Sequence, residues 1–424
     1  MSGNGSALPS TVISTVESTR PQNAHGVHAT KSHPTTLDST NIFQVGWSDG
    51  DNDPLNPRSF NRTKKWLIVL ILSMSGLSVT AASSIYTCTY DQMEAEFGNS
   101  RILSTLGLST YVLGIAFGPL CFSPLSELYG RRPIYLVAWS LYVVWIIPQA
   151  VARNITTIIL GRLFSGFSGS ALLAVSGGTV GDLFSKEELH SPMAVYSAFT
   201  FIGPCIGPLL AGFINYSLYW RWTYYIMMMW AFALLLAIGF FVPETYPSIL
   251  LREKANKLRK STGDTRWIAP CEKSKRSLHQ TVSRALRRPF KLLIFEPICL
   301  SLCIYSAILL GILYLFFGAF AIIFTALYEF TLWQVGLSFV GIALGLVLGT
   351  LSDPLWVRIR TWLLQKNQQS GVGNPELHLP PAIVGSVIVP IGLFMFAWTT
   401  YSSIHWVVPI IGSGLFGAGM TNND

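Results

Sequence analysis

The chain has 424 residues, of which 50% are hydrophobic and only 12% are charged, and its mean hydropathy is +0.45. This balance excludes an ordinary soluble protein with one core, because such a protein interrupts its apolar runs with charge every few residues. The net charge of +8 accompanies no module of basic and aromatic residues for binding nucleic acid. The composition therefore favours a membrane protein without a nucleic-acid partner.

The N-terminal residues 1–60 are rich in Ser, Thr, Asn, Gly and His and contain no apolar stretch. This composition predicts a disordered tail, since such a segment cannot bury enough apolar surface to fold. No cleavable signal peptide is expected, and the first apolar segment should serve as the signal anchor.

Ten apolar runs follow, each near the length of about 20 residues that crosses the hydrocarbon core of a bilayer. An all-α membrane protein with about ten transmembrane helices is therefore predicted. The predicted spans cover residues 66–86, 103–125, 134–152, 155–176, 193–214, 223–242, 298–325, 333–352, 383–399 and 406–420.

Cations concentrate in the connections after the second, fourth, sixth and eighth spans, so these connections should face the cytoplasm. Lys64 and Lys65, just before the first span, place the N-terminus on the same side. The connection over residues 247–295 carries thirteen Lys or Arg residues against three acids. It is predicted to be a cytoplasmic linker between a six-helix half, residues 61–246, and a second half, residues 296–424. Its stretch from Leu250 to Lys260 is predicted to be a basic amphipathic helix, either solvated or lying on anionic headgroups.

A weak internal repeat supports two homologous halves. Span two ends in Ser126-Glu127, span eight ends in Ser352-Asp353, and cations follow both pairs after a few residues. The second half contains only four predicted spans before the sequence stops, so we expect an incomplete bundle.

The turn after the second span combines an acid, a glycine and two cations: Glu127, Gly130, Arg131 and Arg132. Glu127 is expected to pair with Arg131 or with a cation on another helix, and such a pair would form a conformational latch that opens in a second state. The alternative is that the cations serve topology alone.

Arg162 is the one charge placed well inside a span, where a charge costs at least about 2.5 kcal/mol on insertion scales. It should face the bundle interior or a wet cavity, on the same helix face as Gly166 and Ser170. The alternative is an arginine that fixes neighbouring helices through backbone carbonyls without any role in transport. The same segments contain no cluster of His, Asp or Glu, so an enzyme is not expected, and nothing indicates a cofactor or a metal site.

The fifth span contains prolines and small residues that should kink the helix and thin one face of it. This pattern suits movement between two states, although a simple packing contact explains it equally well. The residues are Gly203, Pro204, Gly207, Pro208 and Gly212.

These segments together resemble the major facilitator superfamily and, within it, the fungal drug:proton antiporters with twelve spans. The turn from Gly118 to Pro133 is similar to the loop motif between helices two and three. Arg162 with Gly166 is similar to the helix-four motif, and the segment from Gly203 to Gly212 is similar to the antiporter motif of helix five. Further matches are Asp53 to Pro57, Trp220 to Trp222 and Pro243 to Tyr246.

The resemblance implies proton-coupled export of small hydrophobic compounds across the plasma membrane by alternating access. It also implies that Arg162 takes part in proton coupling. The protein is expected to act as a monomer. A cavity between the halves would be lined by small polar and aromatic residues, although such residues more often serve packing: Ser84, Tyr86, Tyr305 and Tyr314. The alternative function is that of a truncated remnant or a membrane sensor that transports nothing.

Overall fold

The structure, a computed structural model, describes residues 44–48, 53–185, 188–273, 278–366 and 379–421. Most of the predicted tail lies outside these ranges. Within them the secondary structure is helical apart from a single bridge between Gln44 and Ile268. The helices are α1 Arg62–Ile85, α2 Tyr90–Phe97, α3 Arg101–Tyr129, α4 Arg131–Ala150, α5 Ile155–Leu183, α6 His190–Ser217, α7 Arg221–Phe241, α8 Pro247–Thr262, α9 Leu278–Phe295, α10 Pro297–Tyr328, α11 Leu332–Ser338, α12 Val340–Leu351, α13 Asp353–Lys366, α14 Leu379–Trp398 and α15 Val407–Thr421.

In the described part of the chain, nine helical segments are long and apolar enough to cross a membrane, and α15 is a shorter apolar helix. The predicted helical membrane protein is therefore confirmed, with each predicted span falling on a helix. The eighth span differs in detail, because residues 332–366 form three consecutive helices, α11 to α13, instead of one.

Local sequence signals account for several helix ends. Asn154 accepts a hydrogen bond from the Thr157 amide and so caps the start of α5. Thr331 and Gln334 form a reciprocal capping box at the start of α11. Helix α3 ends at Tyr129, and the next residue, Gly130, has a φ of +98°, which would be strained for a residue with a side chain.

The first half of the bundle consists of α1 and α3 to α7. Helix α3 packs along α5, α1 packs along α6, and α4 packs on both α5 and α7. The second half is built around α12, α14 and α15, and its aromatic core also includes side chains of α10. Helix α6 joins the halves, because it contacts α11 and α12 and places Cys205 in the core of the second half.

The linker is not simply solvated, because its first part packs on residues preceding the bundle. Val45, Ala255 and Ala269 form a small buried cluster that is covered by Leu251 and Trp267. Residues 53–60 are also placed by the structure and include a short 3-10 turn, Pro57–Ser59. The boundary of the predicted tail at residue 60 therefore differs from the structure, in which the chain is folded against α8 before α1 begins.

Candidate functional site

Arg162 lies in the middle of α5 and is only 1% exposed. Its guanidinium donates hydrogen bonds to backbone carbonyls of α1 and α3: Nε to Gly107 O at 2.8 Å, and Nη2 to Ala82 O at 3.2 Å and Ser83 O at 3.1 Å. The charge is therefore interior, as expected, and it also binds carbonyls in the way that the alternative hypothesis describes. Among the described side chains no carboxylate pairs with it, so carbonyl dipoles compensate for part of the lost hydration.

Two aromatic rings complete the surroundings of the guanidinium. The centre of the Tyr86 ring lies 4.1 Å from its central carbon, and that of Tyr111 lies 4.6 Å away. Away from water, the negative face of an aromatic ring attracts a cation, which reduces the cost of burial. Tyr111 is itself fixed by a hydrogen bond of 2.8 Å from its hydroxyl to Val79 O.

A cavity of about 20 Å³ lies beside Arg162. Its polar lining includes the side chains of Tyr142, Gln149, Ser165 and Tyr224, which come from α4, α5 and α7. Pockets that hold drug-sized ligands have volumes of about 300 Å³ or more, whereas this cavity has room for about one water molecule. It therefore cannot be the pocket for a transported compound.

Ser83 connects the buried cation to the second half of the bundle. Its carbonyl accepts from Arg162, and its Oγ lies 2.9 Å from the hydroxyl of Tyr314 on α10. Because the Ser83 hydroxyl donates to Thr80 O at 2.6 Å, Tyr314 is the donor in the bond between the halves. A movement of α10 relative to α1 would thus act on a residue that holds the guanidinium.

The five predicted residues of the antiporter motif are all buried on α6. Gly203 and Gly207 face α1, and a Cβ atom added at Gly207 would lie 2.6 Å from Ala81 O. Gly212 faces α11, where an added Cβ atom would lie 2.9 Å from Leu332 O. Pro204 and Pro208 lie within the same helix, which remains continuous from His190 to Ser217. The small residues thus allow one helix to touch both halves.

The turn between α3 and α4 is organised by Glu244, which follows α7. Its carboxylate accepts from the amides of Arg131 at 2.9 Å and Arg132 at 3.1 Å, at the N-terminus of α4. An anion there is favourable, because the first amides of a helix are unpaired and its dipole is positive. A Cβ atom at Gly130 would lie 2.8 Å from Cδ of Glu244, so this glycine admits the carboxylate.

The side chain of Arg131 bonds to Asp182 Oδ2 at 3.2 Å and to Ser126 Oγ at 2.8 Å. Glu127 is exposed, and no ion pair joins it to Arg131 in the part of the chain that the structure describes. The acid that pairs with Arg131 is therefore Asp182, at the end of α5, and the expected Glu127–Arg131 pair is not formed. Arg132 instead donates from Nη2 to Gly239 O at 3.0 Å.

The four residues predicted to line a cavity have different surroundings. Ser84 is buried and donates to Ala81 O, and Tyr86 covers Arg162. Tyr305 and Tyr314 are half-buried on α10, where Tyr314 reaches Ser83. None of the four lines the small cavity beside Arg162, and their contact with a transported compound stays a prediction.

A further polar contact between side chains joins the two halves. His190 Nε2, at the start of α6, lies 2.8 Å from Asp353 Oδ2, at the start of α13. Neither Asp182 nor His190 was assigned a role from the sequence. The signal for both was their position, because each stands at the end of a predicted span on the side that carries the linker.

Comparison with known protein families shows to which class of membrane protein this chain belongs. The profile described as Major Facilitator Superfamily matches residues 68–423. The chain belongs to the major facilitator superfamily. It is a multi-pass membrane transporter and not an enzyme, and both the predicted fold class and the resemblance are confirmed.

Named relatives within this superfamily include fungal efflux proteins. The chain is 48% identical over 375 residues to the efflux pump atB of Aspergillus terreus. The matched residues cover 88% of this chain and 71% of that protein. The chain is 36% identical over 386 residues to the probable drug/proton antiporter YHK8 of Saccharomyces cerevisiae, covering 90% and 74%. The fold is similar to the proton:xylose symporter XylE bound to 6-bromo-6-deoxy-D-glucose, with a TM-score of 0.60, 15% identity and coverage of 85% and 80%. At this identity XylE supports the fold alone.

Proposed function

We propose that this transporter exports small hydrophobic drugs, toxins or metabolites in exchange for protons by alternating access. The observation that carries the proposal is the buried Arg162 guanidinium, which is bound by carbonyls of two helices and linked through Ser83 to the other half. The printed names of the relatives, efflux pumps and a drug/proton antiporter, agree with it.

Arg162 acts in this proposal as a fixed cation and not as the proton carrier, because an arginine side chain keeps its charge in proteins. A permanent positive charge in a medium of low dielectric disfavours the arrival of a second positive charge nearby. Protonation close to Arg162 would therefore favour rearrangement of the surrounding helices. The Ser83–Tyr314 bond is the contact through which this rearrangement would reach α10.

The proposed setting is the plasma membrane, with the N-terminus and the linker in the cytoplasm and the protein acting as a monomer. The placement of cations at the linker end of the bundle supports this orientation. The partners are then a small-molecule substrate, protons and the lipid bilayer.

The proposal is tested with the purified chain in proteoliposomes that contain a lipophilic fluorescent dye, under an imposed proton gradient. We expect dye movement that follows the direction of the gradient and stops when a protonophore removes it. Movement at an unchanged rate without a gradient would contradict proton coupling. The absence of movement for a panel of such dyes, in a well-folded protein, would contradict the substrate class.

The role of Arg162 is tested in the same vesicles with Arg162→Ala and Arg162→Lys. We expect Ala to abolish gradient-driven movement and Lys to retain a fraction of it, because Lys preserves the charge but not the forked geometry. The matched control is Arg153→Ala, which removes an exposed cation from the preceding loop. An Arg162→Ala protein that still couples transport to the gradient would leave the arginine with its structural role alone.

A further inference from the structure

Helix α9 presents large apolar side chains that the protein does not cover. Its side chains are described from Leu286 onward, and in this part Phe290 is 54% exposed, Ile294 73% and Phe295 72%. Leu286 and Leu293 are only half-buried. The water-exposed surface of a protein rarely carries so many large apolar residues within three helical turns. We therefore expect this side of the helix to be covered by a binding partner.

Cations accompany these apolar side chains. Arg287, Arg288 and Lys291 are all exposed. Over the described side chains none of the three forms an ion pair, whereas Lys254 and Arg259 of α8 do. Arg287 and Lys291 stand four residues apart and so lie on one side of the helix. The helix therefore combines uncovered apolar groups with free positive charge.

The comparison with α8, in the same linker, shows what a protein-covered helix looks like here. The apolar side of α8 packs on Val45 and Trp267 through Ala255 and Leu251. Its Lys254 bonds to Asp53 at 2.7 Å. Contact with headgroups was one of the two expectations for this helix, but its apolar side is already covered by its own chain. Helix α9 contacts α3 and α10 on one side, and its exposed side chains are the part of the linker that remains available.

The position of α9 indicates its partner. It ends at Phe295, and α10, which is long and apolar enough to span the membrane, begins at Pro297. The single residue between them, Glu296, has an extended backbone with φ −113° and ψ 100°. At 1.5 Å per helical residue, the described side chains of α9, residues 286–295, extend over about 15 Å of helix from the start of the membrane-spanning α10.

We infer that α9 lies on the surface of the membrane leaflet at the linker end, with Phe290 and Ile294 among the acyl chains. Arg287, Arg288 and Lys291 then bind the headgroups of anionic phospholipids. Helices that combine these two kinds of side chain lie in the interfacial region of a bilayer. Each cation near an anionic surface strengthens the association by roughly fivefold, so the three together form a substantial site. The inference is independent of the proposed proton coupling and substrate.

The test measures hydrogen exchange of the full chain in nanodiscs of pure phosphatidylcholine and in nanodiscs that also contain phosphatidylserine, an anionic lipid. We expect the amides of residues 286–295 to exchange several-fold more slowly with phosphatidylserine, whereas those of α8 do not change. Raising the salt concentration should weaken this protection, since screening shortens the range of the attraction.

Two matched variants separate this site from general basic charge. Arg287→Ala with Lys291→Ala should remove most of the protection that depends on phosphatidylserine. Lys257→Ala with Lys260→Ala, which removes two exposed cations from α8, should preserve it. Because all four side chains are exposed, both variants should fold, and their melting temperatures check this.

Three results would overturn the inference. Equal exchange of α9 in the two lipid compositions would show that anionic headgroups do not bind there. Protection that is already complete in lipid-free detergent would show that the protein itself covers the helix. Protection that rises with protein concentration, and not with phosphatidylserine, would assign the surface to a second copy of the chain.

Discussion

The two halves of this transporter are filled by different kinds of side chain. The first half buries Arg162 together with many serines and threonines, whereas the described part of the second half buries only Ser338 and Ser413 among polar residues. Its core is instead a group of phenylalanines that includes Phe316 and Phe320 on α10, Phe339 just before α12, and one ring each on α14 and α15. Lipid tails are as apolar as these rings, so shape and close contact, more than removal from water, hold the second half together. The first half adds directional polar contacts around one cation.

The largest effect is expected from opening the aromatic core of the second half with Phe320→Ala. Phe320 is fully buried, and its ring centre lies 4.6 Å from that of Phe339 and 5.2 Å from that of Phe324. Removal of the ring leaves a cavity and should lower stability by about 3 kcal/mol. Thermal unfolding in detergent checks this against Ile322→Ala on the same helix, which is 70% exposed. Similar losses for the two variants would contradict packing as the basis of this half.

The corresponding variant in the first half is Gly166→Ala, at the contact of α5 with α3. The added Cβ atom would lie 3.1 Å from the carbonyl carbon of Tyr111 and 3.3 Å from its Cα atom, and backbone cannot move away cheaply. We expect a loss of about 1 to 3 kcal/mol in the same unfolding assay. Gly181→Ala, further along α5, has nothing within 4 Å and should be neutral or slightly stabilising.

The polar contacts of the first half are tested by comparing the stability of the Asp182→Asn variant with that of the Glu127→Gln variant. Arg131 and Asp182 are 12% and 16% exposed, so loss of the aspartate charge leaves the arginine poorly compensated. Asp182→Asn should cost about 1.5 kcal/mol, the low end for a hydrogen bond to a charged group, because the variant also removes the desolvation cost of the carboxylate. Glu127→Gln should change stability little, since Glu127 is exposed. A larger loss for Glu127→Gln would restore the latch that the sequence predicted.

Local features of the sequence predicted much of this structure. The spans could be located from hydropathy, because a membrane helix is recognised by its length and its apolar composition alone. The interior position of Arg162 could be predicted because a charge that faces lipid is energetically costly. Pairings across the fold were not accessible in this way. Ser83 and Tyr314 are separated by 231 positions, and Arg131 meets an acid 51 positions away instead of the one four positions before it. These contacts depend on how the helices pack, which periodicity does not reveal.

The smallest effect is expected where the chain before α1 meets the linker, a contact that lies outside both halves. Lys254 donates a hydrogen bond to Asp53 and lowers the pKa of that carboxyl to about 2, with the amides of Leu55 and Ser48 contributing. A lowered pKa means that the contact is fully stabilising above the ordinary pKa of an aspartate, about 3.9, and is lost as the pH falls through about 2. At neutral pH, Asp53→Asn should therefore increase hydrogen exchange of residues 44–48 while leaving the unfolding of the bundle unchanged.

Asp264→Asn is the control, because Asp264 pairs with Arg266 inside its own turn and does not join the two segments. Equal exchange of residues 44–48 in the two variants would show that the apolar cluster around Val45, and not the Asp53–Lys254 pair, holds this segment on α8.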